Sequence, residues 1–185
     1  MTTRIWVSAA LALAGFGGRA AEKKAPPKTM LWSWYAADDF RPMAGRRLGV
    51  AYLELTLRCE GKDQVTSLPR AIPVRIPPGM YQMAVIRIDG PQSYSAKQRE
   101  SVPRMSGEIV SFTHPQRLQI DFDAPREAWP FYRELLSTVR ATIGGDVWLS
   151  MTALVSRCGE GRSWMSGLPV DQSVVTMISR RRIHS

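Results

Sequence analysis

Between residues 118 and 154 the hydrophobic pattern changes its period twice, and this change constrains the fold more than any other feature of the chain. Leu118-Gln-Ile-Asp-Phe-Asp alternates, with Gln119, Asp121 and Asp123 on the face opposite the apolar residues. From about Arg126 to Ile143, Trp129, Tyr132, Leu135, Leu136, Val139 and Ile143 recur at helical spacing. Gly144 and Gly145 then supply the stop. Val147–Leu154 alternates again, with Trp148, Ser150 and Thr152 opposite Leu149, Met151 and Ala153. Strand, helix and strand in this order read as a parallel β-α-β unit.

Upstream segments extend the pattern. Met30–Tyr35 reads as an aromatic strand with Trp32 and Trp34 on one face. Ala36–Met43 is expected to form a short helix, with Asp38 and Asp39 near its positive end. Leu48–Leu57 alternates, so Val50, Tyr52, Glu54 and Thr56 are expected on one face and Ala51, Leu53, Leu55 and Leu57 on the other. Four prolines between residues 65 and 78 resist a central strand, leaving an irregular excursion with a short edge strand near Val74–Ile76. Gln82–Asp89 is a further strand, with Ala84, Ile86 and Ile88 opposite Val85, Arg87 and Asp89. A helix follows from about Ala96 to Phe112, with Val102, Met105, Ile109, Val110 and Phe112 on one side and a break expected near Pro103. A last apolar segment runs from Val170 to Ile178.

The fold class expected is α/β, a partial or truncated TIM-like (β/α) barrel with about six parallel strands. A complete eight-fold barrel takes about 250 residues, and 185 are present. Either a partial barrel or a shortened chain missing its last units accounts for this. Residues 30–178 are read as one barrel-like domain, with 21–29 as a flexible leader and 179–185 as a basic tail.

The N-terminus differs in kind from the rest. Arg4 precedes an apolar run from Ile5 to Phe16, followed by Gly17, Gly18, Ala20 and Ala21. That layout matches a secretory signal peptide over residues 1–20, with an uncleaved anchor or a buried helix as the alternative. Cleavage takes away Arg4 and Arg19 and no acids, lowering the formal charge from +9 to +7. The expected location is periplasmic or secreted, which argues against a nucleic-acid partner. The remaining positive charge suits association with an anionic envelope surface. Cys59 and Cys158 fit an oxidising compartment and leave both a disulfide and two thiols open. Oligomeric state is left open as well.

In a parallel sheet, ligands gather at the C-terminal ends of the strands. Glu54, Arg87, Asp89, Gln119, Asp121, Asp123 and Thr152 are all expected there on polar faces. One reading is a satisfied polar network without a ligand, with Arg87 neutralising Asp121 or Asp89. The other is carbohydrate chemistry, which commonly needs two carboxyl groups. Asp123 is then the candidate acid, tuned and oriented by Asp121. Gln119, Arg87, Asp89, Glu54, Thr152 and Trp34 are candidate substrate-binding residues, and Trp32 and Trp164 further flat surfaces for sugar rings. The partner expected is a polysaccharide or peptidoglycan fragment. Serine-nucleophile elbows, phosphate loops, zinc-protease pairs and dinucleotide fingerprints are absent from the sequence. No metal or other cofactor is expected.

Leu118–Pro125, Tyr132, Leu135-Leu136 and Leu149-Ser-Met-Thr-Ala-Leu resemble the bacterial domain of unknown function 3142 family. Val50-Ala-Tyr-Leu, Ile76-Pro-Pro-Gly and Val85-Ile-Arg-Ile-Asp add to the likeness, which covers about residues 30–178. It implies an envelope protein with a barrel-like fold. More distantly, the acid strand is similar to the Asp-x-Asp-x-Glu strand of chitinase-type glycoside hydrolase barrels. Gln119 and Asp121 then stand at the two aspartate positions and Asp123 at the glutamate position, so a Gln replaces the first Asp and a shorter acid the Glu. The resemblance implies glycoside-hydrolase-like chemistry on an envelope or environmental polysaccharide. A non-catalytic saccharide- or envelope-binding protein, or an inactive truncated barrel, are the alternatives.

Overall fold

A computed structural model describes residues 25–90, 94–154 and 165–176. Residues 1–20, read above as a signal peptide, residues 21–24 and 179–185, Cys158 and Trp164 lie outside these residues. Seven strands form one sheet: β1 (Thr29–Ser33), β2 (Leu48–Glu60), β3 (Gln64–Pro69), β4 (Tyr81–Asp89), β5 (Arg117–Asp121), β6 (Trp148–Leu154) and β7 (Gln172–Thr176). Their order is β1-β2-β4-β5-β6-β7, with every neighbouring pair parallel. β3 is the exception, pairing antiparallel with the second half of β2. The six parallel strands curl into a half-barrel, as the alternating periods predict.

Two helices cover the convex face, α1 (Ala96–Thr113) and α2 (Trp129–Ile143). Ser95 and Gln98 close a reciprocal capping box at the start of α1. Pro103 lies within that helix and is buried, so the expected break is absent. Gly144 ends α2 at φ 73°, where a side chain would be strained. Ile86, Leu118, Ile120 and Leu149 from the sheet meet Val102, Leu135, Leu136 and Val139 from the helices in the main core. Phe122, Phe131, Tyr94 and Tyr132 pack as an aromatic cluster at one end, the Tyr94 and Phe131 rings stacking at 4.3 Å. The concave face carries a smaller cluster of Ala51, Leu53, Met83 and Val85, with Met30 and Trp34 against it.

Four local expectations are corrected. The register between β2 and β4 shifts between Leu53 and Leu55, so Glu54 is an extra residue in a β-bulge. Beyond it the faces exchange: Leu55 and Leu57 join Val50 and Tyr52 in the main core. The segment 36–43 is not an α-helix but ends in a 3-10 turn, Arg41–Met43, with Asp39 Oδ1 accepting from the Arg41 amide at 3.0 Å. The edge strand is Gln64–Pro69, and the Val74–Ile76 region contributes a single bridge from Arg75 to Asp39. Phe112, placed on the apolar side of α1 by its spacing, is 88% exposed. Cys59 is buried near the end of β2.

Candidate functional site

The polar site grows from strand parity. Met83 and Val85 face the concave side, so Arg87 and Asp89, two and four residues on, follow them. Register sets Val85 beside Gln119 and Arg87 beside Asp121, and on the next strand sets Gln119 beside Ser150. Side chains from three adjacent strands therefore meet above the small apolar cluster, at the C-terminal end of the sheet.

These groups form one hydrogen-bonded chain. The Ser150 hydroxyl lies 3.5 Å from Gln119 Oε1. Gln119 Nε2 donates to Thr152 Oγ1 at 3.0 Å, and Thr152 Oγ1 donates to Asp121 Oδ1 at 2.7 Å. The Arg87 guanidinium then ties Asp121 to Asp89: Nη1 is 3.6 Å from Asp121 Oδ2, and Nε donates to Asp89 Oδ1 at 2.9 Å. Each donor polarises the next, which strengthens such a chain in a low-dielectric setting. The fixed direction also assigns the Gln119 amide orientation, because only its nitrogen can donate to Thr152.

Burial grades along the chain. Gln119 is 1% exposed and Ser150 fully buried, whereas the Arg87 and Asp89 side chains are 37% and 38% exposed. Asp121, at 12%, sits between. Its desolvation raises the carboxyl pKa above the ordinary range, with Asp123 and Asp89 adding repulsion. The Thr152 hydrogen bond and the Arg87 charge offset part of that rise. For Arg87, partial burial works to lower the pKa, and the hydrogen bond and charge of Asp89 together with Asp121 turn the net shift upward.

Two tryptophans face the network. Trp32 and Trp34 stack with ring centroids 5.6 Å apart and planes 14° off parallel. With Arg87, Gln119, Asp121, Asp123 and Thr152 they line a cleft of about 350 Å³. Asp123 lies two residues beyond the end of β5 and is exposed. The turn there is held by Phe122, buried in the aromatic cluster, whose carbonyl accepts from the Ala124 amide at 2.8 Å.

Of the residues expected at the site, Arg87, Gln119, Asp121, Asp123, Thr152 and Trp34 share this cleft, and Asp89 joins through Arg87. Glu54 does not. Ala51 and Leu53 take the concave side, so parity puts Glu54 with Tyr52 on the opposite face, in a separate groove of about 430 Å³ with Arg70, Gln82 and Thr113. Burial raises its pKa there, and the Arg70 charge opposes the rise. The Trp164 expectation falls outside the described residues.

Arg70 and Tyr132 shape the site from behind, and residue spacing singled out neither role. Arg70 spends its guanidinium on the end of β1: Nη1 donates to the Ser33 and Trp34 carbonyls at 3.0 and 2.8 Å. Nη2 donates to Ser33 Oγ and to the Ala36 carbonyl, and Nε to the Ile72 carbonyl. The tryptophan wall is therefore pinned by one side chain. Tyr132, 1% exposed, donates to the Ile120 carbonyl at 3.0 Å and buttresses β5 one residue before Asp121.

No protein-family model matches the chain, and no curated protein matches it. Among solved structures the chain is similar to the chitinase domain of the spore coat protein CotE from Clostridium difficile, at 12% identity and a TM-score of 0.48. The match covers 76% of this chain and 46% of that one, so the chain spans less than half the length of the structure it matches.

Proposed function

We propose that the cleft binds a saccharide. The observation that carries this reading is the stacked Trp32–Trp34 wall facing the Gln119–Thr152–Asp121–Arg87 network across one open cleft. A sugar ring has an apolar face that suits an aromatic plane and a rim of hydroxyls that need both donors and acceptors. Arg87 supplies donors, Asp121 and Asp123 acceptors, and the Thr152 and Gln119 bonds hold Asp121 in one orientation. The ligand class proposed is a polysaccharide or peptidoglycan fragment.

Hydrolysis is a second reading, favoured by the position of Asp123. This carboxyl is exposed at the cleft beside a buried Asp121, and such a pair can divide the acid and base roles. In a glycoside-hydrolase-like reaction the desolvated Asp121, whose pKa is raised, suits the protonated role, and the exposed Asp123 faces the sugar as its partner carboxyl. The half-barrel leaves both readings the same cleft.

We further propose that the chain acts outside the cytoplasm, in the periplasm or after secretion, and belongs with the domain of unknown function 3142 family. The apolar N-terminal run and the Leu118–Pro125 motif support these two statements. A panel of envelope glycans and peptidoglycan fragments tests the functional reading. Saturable binding by the wild type is expected. Release of reducing ends, abolished in Asp123→Asn with binding retained, establishes hydrolysis; binding without release establishes the non-catalytic form. A panel with no bound member overturns both.

A further inference from the structure

The opposite end of the sheet holds a further cavity, and its chemistry is unlike that of the cleft. Here the chain enters β1, β2 and β4, and Pro27, Lys28, Arg46, Arg47, Met80 and Tyr81 line a pocket of about 580 Å³. Among the described residues no acid lines it. Among the described residues Lys28, Arg46 and Arg47 have no carboxylate partner, although most other surface arginines do. Three uncompensated cations around one concavity raise the local concentration of anions.

Two buried groups point to the same chemistry. Tyr81 is 2% exposed, and its hydroxyl faces the Arg117 guanidinium, which can only donate to it, so the O–H proton has no acceptor among the described residues. Arg117, on the same concave face one strand away, is 3% exposed. Its Nη1 donates to Gln172 Oε1 at 2.5 Å, its guanidinium lies 5.4 Å from the Trp148 ring centroid and approaches the Tyr81 hydroxyl, and among the described residues no carboxylate pairs with it. Burial raises the Tyr81 pKa, the Arg117 charge and hydrogen bond offset part of the rise, and the Asp171 charge adds to it. An anion at the pocket would accept the Tyr81 proton and add a negative charge near the Arg117 guanidinium behind it.

We propose that this basic pocket binds a phosphate group, with Lys28, Arg46, Arg47 and the Tyr81 hydroxyl as donors and Arg117 supplying charge from behind. A single carboxylate offers two oxygens and one charge. A phosphate monoester offers three oxygens and a charge near −2, which suits several donors arriving from different directions. Arginine forks match its geometry, and two of the three mouth cations are arginines. The phosphate can come free in solution or as the headgroup of an anionic lipid.

The experiment is thermal unfolding of the full chain in sodium phosphate against sodium chloride at equal ionic strength, with vesicle sedimentation as its second arm. Phosphate should raise the midpoint in a saturable way that chloride does not reproduce. Arg46→Ala/Arg47→Ala, both exposed positions, should weaken the phosphate affinity at least tenfold. Tyr81→Phe changes no charge and should weaken it about three- to tenfold, the equivalent of one hydrogen bond, with an unchanged circular dichroism spectrum. Binding to phosphatidylglycerol vesicles that free phosphate competes away assigns the lipid source. Phosphate binding without vesicle binding assigns the soluble one. Equal effects of phosphate and chloride, affinity unchanged in both variants, or vesicle binding indifferent to phosphate overturns the site.

Discussion

Thr152→Val should cost far more than the loss of one surface hydroxyl. The side chain keeps its shape but removes the donor to Asp121 Oδ1 and the acceptor for Gln119 Nε2. The first bond runs to a carboxylate and contributes about 1.5–3 kcal/mol; the second leaves a donor at 1% exposure unsatisfied, at about 1–3 kcal/mol. Burying one extra methyl returns about 0.8 kcal/mol. The net destabilisation is about 2–5 kcal/mol, and 3 kcal/mol in a domain of this size lowers the midpoint by about 6–12 °C. Urea unfolding followed by tryptophan fluorescence measures it. Gln119→Leu in the Thr152→Val background should recover part of the loss, because both orphaned amide and hydroxyl are then gone. The Asp121 carboxyl should also titrate higher, since the Thr152 bond holds its pKa down. A cost below about 1 kcal/mol, or strict additivity with Gln119→Leu, would show that the chain of hydrogen bonds does not hold the site together.

Other consequences follow from single contacts. Because folding raises the Asp121 pKa, its contribution favours the folded state below the unfolded value of 3.8 and is lost as pH rises through the folded value. The stability difference between wild type and Asp121→Asn should therefore shift toward the variant over that interval, as pH-resolved urea unfolding would record; a shift the other way contradicts the sign. Asp39, held down by its hydrogen bonds to Arg41, should stay ionised to about pH 2 in a carboxyl NMR titration. Gly90→Ala would set a Cβ 2.9 Å from Cys59 Cβ and 3.1 Å from its carbonyl oxygen; crowding of this kind costs about 1–3 kcal/mol, readable as a lower denaturation midpoint. Arg70→Ala should weaken saccharide binding about tenfold, the equivalent of about 1.4 kcal/mol, by loosening the Trp32–Trp34 wall; Arg70→Lys, which keeps the charge but not the fork, should fall between.

The parallel half-barrel was legible because each strand from Gln82 onward keeps strict alternation, and α2 keeps strict helical spacing. Parity alone then brought Arg87, Gln119, Asp121 and Thr152 to one face. Glu54 missed the site because alternation in one strand does not say which face turns inward: Ala51 and Leu53 take the concave side, and Glu54 follows Tyr52 to the other. Beyond the bulge in β2, Leu55 and Leu57 turn to the helices, although their neighbours keep the same two-residue pattern. β3 was obscured by Pro69, which is tolerated because it ends an edge strand. Arg70 gave no sign of its role, since its partners are backbone carbonyls of a segment 34 to 37 positions away. Phe112 lies off the buried stripe of Val102, Ser106 and Ile109, so its ring stays in solvent although the next residue still meets the sheet.

The central claim is that the Trp32–Trp34 wall and the Asp121 network form one saccharide site. Titration calorimetry of the full chain with oligosaccharides from envelope glycans and peptidoglycan tests it most directly, run on wild type, Trp34→Ala and Arg87→Ala. Saturable binding by the wild type that falls at least tenfold in both variants, with folding intact by circular dichroism, is the predicted result. Binding that survives both substitutions unchanged, or no binding by the wild type to any member, contradicts the claim.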